Sequence, residues 1–116
     1  MGAKEVNVDS KDDKILKEVV EYIHAHITET NIASRDISYA IGISHSSLYR
    51  KIKKLTGNSL NEFVRYVRLQ KAEQLLASGK YTVAEIMDQV GFTNHSYFAK
   101  CFRNQFGVSP REYQNK

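Results

Sequence analysis

Two stretches of this chain place basic and polar side chains along one face of a helix. The chemistry those groups suit is recognition of a polyanion whose bases offer hydrogen-bonding edges. In the first stretch Ser46, Tyr49, Arg50, Lys53 and Lys54 point one way, while Leu48, Ile52 and Leu55 fall on the opposite stripe at i, i+4 and i+7. Arg50 can form a bidentate pair with guanine, and Lys53 and Lys54 suit phosphates, which position a protein without specifying sequence. His45, Ser46 and Ser47 stand at the N-terminal end, where a helix laid in a major groove meets base edges. In the second stretch Phe98, Phe102 and Phe106 form the inner stripe, and Asn94, His95, Ser96, Ala99, Lys100 and Arg103 the outer one. Asn94 carries the groups to read adenine, Ala99 a methyl to meet thymine, and Lys100 the reach for a base or a phosphate. The second stretch holds less charge and is expected to contribute less affinity.

The same residues have plainer readings. A run such as Arg50-Lys51-Ile52-Lys53-Lys54 also suits a solvated helix face. Ser46 and Ser96 are possible helix caps, His45 and His95 possible surface groups or caps, and Tyr49 a possible packing group at the domain edge. Context shifts the balance, because the chain states its pattern twice. Ile37, Ile41, Gly42, Ile43 and Ser44 are echoed 49 residues later by Ile86, Val90, Gly91, Phe92 and Thr93. Ser46, Leu48, Ile52, Lys53, Gly57, Ser59, Glu62 and Phe63 are echoed 50 residues later, so the second copy has one extra residue near Thr93 and Asn94. A period this long is one supersecondary unit used twice. Each unit reads as a short helix, a glycine turn and a second helix with a basic outer face, which is the pattern of a helix-turn-helix.

The elements that must position those faces follow from caps and breakers. Residues 1–11 are polar and aperiodic and read as a tail. Asp12 and Asp13 then open a helix whose apolar face is Ile15, Leu16, Val19, Val20, Ile23 and Ile27; acids in a first turn suit the helix dipole. Ser34 is expected to cap a short helix over 35–41 with Ile37, Ala40 and Ile41 inward, ended by Gly42. Ser44 caps the first reading helix, about 45–55. A long helix follows over about 60–78, then helices over Thr82–Val90 and about 94–106, and a last short one opened by Ser109-Pro110. The chain is therefore expected to be all-α, with about seven helices: a first unit over 12–58, a connecting helix over 59–79 and a second unit over 80–116.

Charge agrees with a polyanionic partner. The net charge is +4, but residues 1–30 carry four Lys against seven Asp or Glu, so the repeated part is the basic part. The single cysteine, Cys101, reads as a structural thiol and points to a reducing, cytoplasmic setting. No apolar run approaches the ~18 residues of a membrane span, and Met1-Gly2-Ala3-Lys4-Glu5 does not resemble a signal peptide. His24 and His26, two apart on a helix, do not share a face. Neither a nucleophile with its base nor a phosphate loop stands out, so no catalytic residue, metal or cofactor is expected. A protein-interaction module would expose apolar residues on the reading helices, and few are there; an enzyme part would need an activated cysteine or a metal site.

The residues quoted resemble the DNA-binding domain of the AraC/XylS family of bacterial transcription regulators, over about Asp13–Tyr113. The most specific stretch runs from Ile86 through Gly91-Phe92, Ser96-Tyr97-Phe98, Phe102 and Phe106-Gly107-Val108-Ser109-Pro110 to Tyr113, joined by Arg68-Leu69, Ala72 and Leu75-Leu76 on the long helix. The resemblance implies two reading helices in successive major grooves of double-stranded DNA, held apart by the long helix. By position it implies base contacts from Ser46, Tyr49 and Arg50 in the first unit and His95, Ser96, Ala99 and Lys100 in the second. His45, Ser47, Lys53, Lys54, Asn94 and Arg103 are then expected at phosphates or flanking positions. The family usually has alanine where this chain has Ser38 and Met87, and the bulk of Met87 must splay its unit or find a gap. The stretch Leu48–Gly57 behind an acidic helix is similar to the output domains of Bacteroides-type hybrid two-component sensors, which usually control polysaccharide-utilisation genes. That likeness implies a larger sensor-kinase parent in the inner membrane, with no direct membrane contact by this chain; the alternatives are a protein-interaction or dimerisation module, whose partner would be RNA polymerase or a second copy of the chain, and a fragment of a stand-alone AraC-type activator.

Overall fold

A computed structural model describes residues 10–115, all of whose regular elements are helices: α1 (Ser10–Ala25), α2 (Ser34–Ile41), α3 (His45–Thr56), α4 (Leu60–Ser78), α5 (Val83–Gln89), α6 (His95–Phe106) and α7 (Pro110–Gln114). The described helix α1 begins at Ser10, so two residues expected in the tail are helical, while residues 1–9 lie outside the described part. Local chemistry sets most of the boundaries. Ser44 accepts a bond from the Ser47 amide, and Ser59, Thr82 and Ser109 close reciprocal capping boxes with Glu62, Glu85 and Glu112. At the two turns inside the units, Gly42 and Gly91 sit at φ 86° and 81°, a left-handed conformation that a side chain would strain.

One expectation about α2 fails. Ser34 is the first helical residue rather than the cap; Ala33 holds the cap position without a side-chain bond. The Ser34 hydroxyl instead meets His45 Nε2 at 2.7 Å, across the turn. The inward face is also rotated: Ala40 is exposed and Ser38 is buried, its hydroxyl donating to the Arg35 carbonyl at 2.9 Å. Intrahelical bonding satisfies Ser38, so a small polar residue is accommodated where α2 packs closely. Met87, at the matching place in α5, is buried in the second core.

Two apolar cores share one helix. The first joins Val19 and Ile23 of α1, Ile37, Leu48 and Ile52 to Leu60, Phe63, Val64 and Val67 of α4. The second joins Leu69, Ala72 and Leu76 of α4 to Ile86, Val90, Phe92, Phe98 and Phe102. Helix α4 thus belongs to one core up to Val67 and to the other from Leu69. Between them sits Arg68, only 6% exposed. Its Nη1 donates to the carbonyls of Ile27 (2.7 Å) and Val90 (2.6 Å), and its Nη2 to that of Glu29 (2.7 Å). Ile27 and Glu29 follow α1; Val90 ends α5. Burial lowers the guanidinium's pKa and Glu29 raises it, but arginine stays charged. One buried cation therefore ties the turn after α1 to the turn between α5 and α6. Gly91 makes room for it, since a Cβ there would stand 2.0 Å from Nη1.

A second polar tie fixes α1 against α3. The Asp12 carboxylate is 7% exposed, accepts from Lys51 Nζ at 2.9 Å and lies 3.6 Å from Lys54 Nζ. The Lys51 hydrogen bond, aided by both ammonium charges, holds the Asp12 carboxyl below its ordinary 3.8.

Two stability measurements test these ties. Arg68→Met is expected to cost about 3 kcal/mol in urea unfolding, because three carbonyls lose a charged donor in a sheltered site, and Gly91→Ala should be destabilising through its steric conflict with Arg68. A depressed carboxyl stabilises the fold above its unfolded pKa and ceases to as pH falls through its folded value. The wild-type urea midpoint should therefore drop more steeply than that of Asp12→Asn as pH falls below about 4.

Candidate nucleic-acid interface

The two basic faces arise from one construction. Helices α3 and α6 are each 12 residues long, and each ends on a left-handed glycine, Gly57 or Gly107. Leu48 and Ile52, like Phe98 and Phe102, are wholly buried, which drives the opposite stripe into solvent. Among the outer residues His45, Ser46, Tyr49, Arg50, Lys53, Lys54, Asn94, His95, Ser96, Lys100 and Arg103 are exposed, while Ser47 and Ala99 are half-buried. Ser44 and Asn94 hold the N-cap positions, so Ser46 and Ser96 lie one residue inside their helices and are not the caps. Counted from the turn glycine, the approach to α6 (Gly91 to Asn94) is one residue longer than that to α3 (Gly42 to Ser44), and Asn94 stands at its end.

Local bonds refine what each group can offer. Arg50 lies along α3, its Nη2 3.3 Å from Ser47 Oγ, and His45 packs edge-on to the Tyr49 ring with centroids 6.2 Å apart. With its Nε2 on Ser34, His45 is held by α2 rather than swinging from the helix end. Lys53 Nζ donates to the Gly57 carbonyl at 3.1 Å. Lys54 keeps 74% of its side chain exposed although Asp12 draws its ammonium. Asn94 Oδ1 accepts from the Tyr97 amide at 2.8 Å. That bond commits one lone pair of the amide oxygen to the helix cap and leaves the amide NH₂ as a donor.

Three contributors escaped the sequence reading: Ser34 as the partner of His45, Asp12 as the partner of Lys51 and Lys54, and Arg68 as the tie between the cores. Asp12 was visible as a first-turn acid, but its partners are 39 residues away for Lys51 and further for Lys54. Elsewhere, His26 Nδ1 pairs with Glu29 at 2.8 Å and the ring stacks on Tyr22, while Cys101 is buried. Among the described residues there is no group of metal-ligating side chains, and no helix is long and apolar enough to cross a membrane.

Comparison with known proteins agrees with this geometry. A family model described as a helix-turn-helix domain matches residues 37–116. The AraC-type DNA-binding domain of a transcriptional regulator from Chromobacterium violaceum superposes with a TM-score of 0.83 at 29% identity, over 92% of this chain and 95% of that one. The DNA-binding domain of the global transcriptional factor AdpA, solved with a target DNA, superposes with a TM-score of 0.74 at 27% identity, over 86% of this chain and 89% of that one. Histidine kinase P4 of Formosa agariphila is 34% identical over 97% of this chain. The chain spans only 8% of that protein and 34–39% of three other curated relatives. With its repeated units, exposed basic helices and these likenesses, the chain belongs to the AraC-type helix-turn-helix family of DNA-binding transcription regulators.

Proposed function

We propose that the outer faces of α3 and α6 enter successive major grooves on one side of a single duplex, with 12–58 and 80–116 as the reading units and 59–79 as the spacer. The observation that carries this reading is the shared helix: α4 contributes its first half to one core and its second half to the other, with Arg68 tied to turns in both. Its 19 residues span about 28 Å, comparable to the roughly 34 Å between successive grooves. In this reading Ser46, Tyr49 and Arg50, and His95, Ser96, Ala99 and Lys100, face base edges. His45, Ser47, Lys53, Lys54, Asn94 and Arg103 face phosphates or flanking positions, with Asn94 acting through its NH₂ and Lys54 shared with Asp12.

The wider setting we propose is the output end of a two-component sensor that controls carbohydrate-utilisation genes. Its support is the match of nearly the whole chain to a small part of a histidine kinase. Relatives named for the lactose operon of Staphylococcus xylosus and the xylose operon of Escherichia coli support the sugar connection.

The test begins with a duplex recovered from a random pool by binding to the 116-residue chain. On it, Arg50→Ala should cost about 1–3 kcal/mol and relax preference at one base pair. Lys53→Ala should weaken all sequences alike and reduce the salt dependence by about one unit of slope. Unchanged affinity in both variants would remove α3 from the interface.

A further inference from the structure

The helix that spaces the two probes is basic at its middle, and nothing in the two-probe reading uses that charge. Arg65 lies on α4, half-buried, three residues before the buried Arg68. Its Nη1 donates to the Tyr97 hydroxyl at 3.3 Å, a long bond to a neutral oxygen. Arg65 and Tyr97 line two clefts, each about 400 Å³. One cleft also reaches Lys100, the other Asn94, so both open beside the outer stripe of α6. Glu62 lines the first of these clefts with Arg65, Tyr97 and Lys100, and Lys53 of α3 and Arg65 both help hold its carboxyl below 4.5. Its larger commitment is to the Ser59 amide, from which it accepts at 2.8 Å. Arg65 of the spacer and Lys100 of α6 thus share one cleft, with the Glu62 carboxylate already committed to the Ser59 amide.

The geometry points to a third DNA contact, in which the Arg65 guanidinium, braced by the Tyr97 hydroxyl, grips a phosphate of the backbone that crosses between the two major grooves. The inference rests on the two-groove reading. When probes enter adjacent major grooves from one side, the minor groove between them turns toward whatever joins the probes. Here that element is α4, and it presents a guanidinium whose forked donors match a phosphate better than a phenol oxygen. Tyr97 orients the fork, and its own ring is held 6.0 Å from that of Phe92. The contact adds affinity and fixes the angle between protein and duplex without reading a base.

The test uses the selected duplex with neutral methylphosphonates replacing phosphates one at a time between the two half-motifs. For the wild-type chain one or two such replacements should weaken binding about 5- to 20-fold. For Arg65→Gln the same replacements should cost less than about 2-fold, because the charge they would have met is gone. Arg65→Gln should also lower the salt slope by about one and leave the selected bases unchanged. Tyr97→Phe, which keeps the ring, should weaken binding to a lesser degree, and a wild-type melting temperature in both variants places the effect in binding. The assignment falls if spacer methylphosphonates are harmless to the wild type, or cost Arg65→Gln as much. It falls equally if Arg65→Gln alters base preference in the spacer, which would make the residue a minor-groove reader. If two half-motifs emerge but the spacer is indifferent, the groove reading survives and only the third contact is lost; if a single motif emerges, both fail.

Discussion

A single buried guanidinium sets the relation between the two halves of this protein. An arginine between two apolar cores is costly to desolvate unless its donors are used. Arg68 uses them on three backbone carbonyls, two after α1 and one at the end of α5. Those carbonyls belong to turns, whose polar groups have no helical partner, so both sides of each bond gain. Rotating one unit about α4 would strand the cation or the carbonyls. Gly91 completes the arrangement by keeping clear the space that a side chain would take. Side-chain packing alone would leave the hinge between two small cores soft; three short charge-assisted bonds stiffen it.

The duplicated units are alike in backbone and different in filling. The first core is aliphatic around α3; the second stacks Phe92, Phe98, Phe102 and Phe106, with Phe102 and Phe106 centroids 4.6 Å apart. Aromatic packing gives the second unit much buried area from few residues, and α4 packs across α5 and α6 there as α1 does across α2 and α3. The first unit leans on α1 instead, through Val19, Ile23 and the Asp12–Lys51 pair. Its reading helix is the more basic, and part of that charge is turned inward toward Asp12. The two probes therefore differ less in outward charge than their compositions imply.

Much of this was legible in the chain, because it is written in local chemistry. The limits of α4, the glycine turns and the cap at Ser44 follow from local bonding within a few residues, and the capping boxes at Ser59 and Ser109 fall where the chain reads as a break and a helix opening. The outward stripes of α3 and α6 follow from the spacing of Leu48, Ile52, Phe98 and Phe102. What was not legible depends on contacts distant in sequence. Ser34 has the form of a cap, yet His45 from the next helix claims its hydroxyl. Ala40 looks like a core residue and Ser38 like a surface one, but packing turns Ser38 inward beside Ile37 and leaves Ala40 outside. Asp12 and Arg68 act on groups about 40 residues away. Arg68 did leave a trace: a charge inside the apolar stripe from Val67 to Ala72, matched by a glycine at the turn it reaches.

The central claim is that the probes are held at a fixed separation. It is tested most directly by measuring affinity for the selected duplex after five base pairs are inserted between its half-motifs, which turns one major groove to the far side. A spacer fixed by α4 and Arg68 predicts that affinity falls to that of a duplex carrying one half-motif. Undiminished affinity would mean that the units move independently, or that only one of them reads DNA, and would contradict the account.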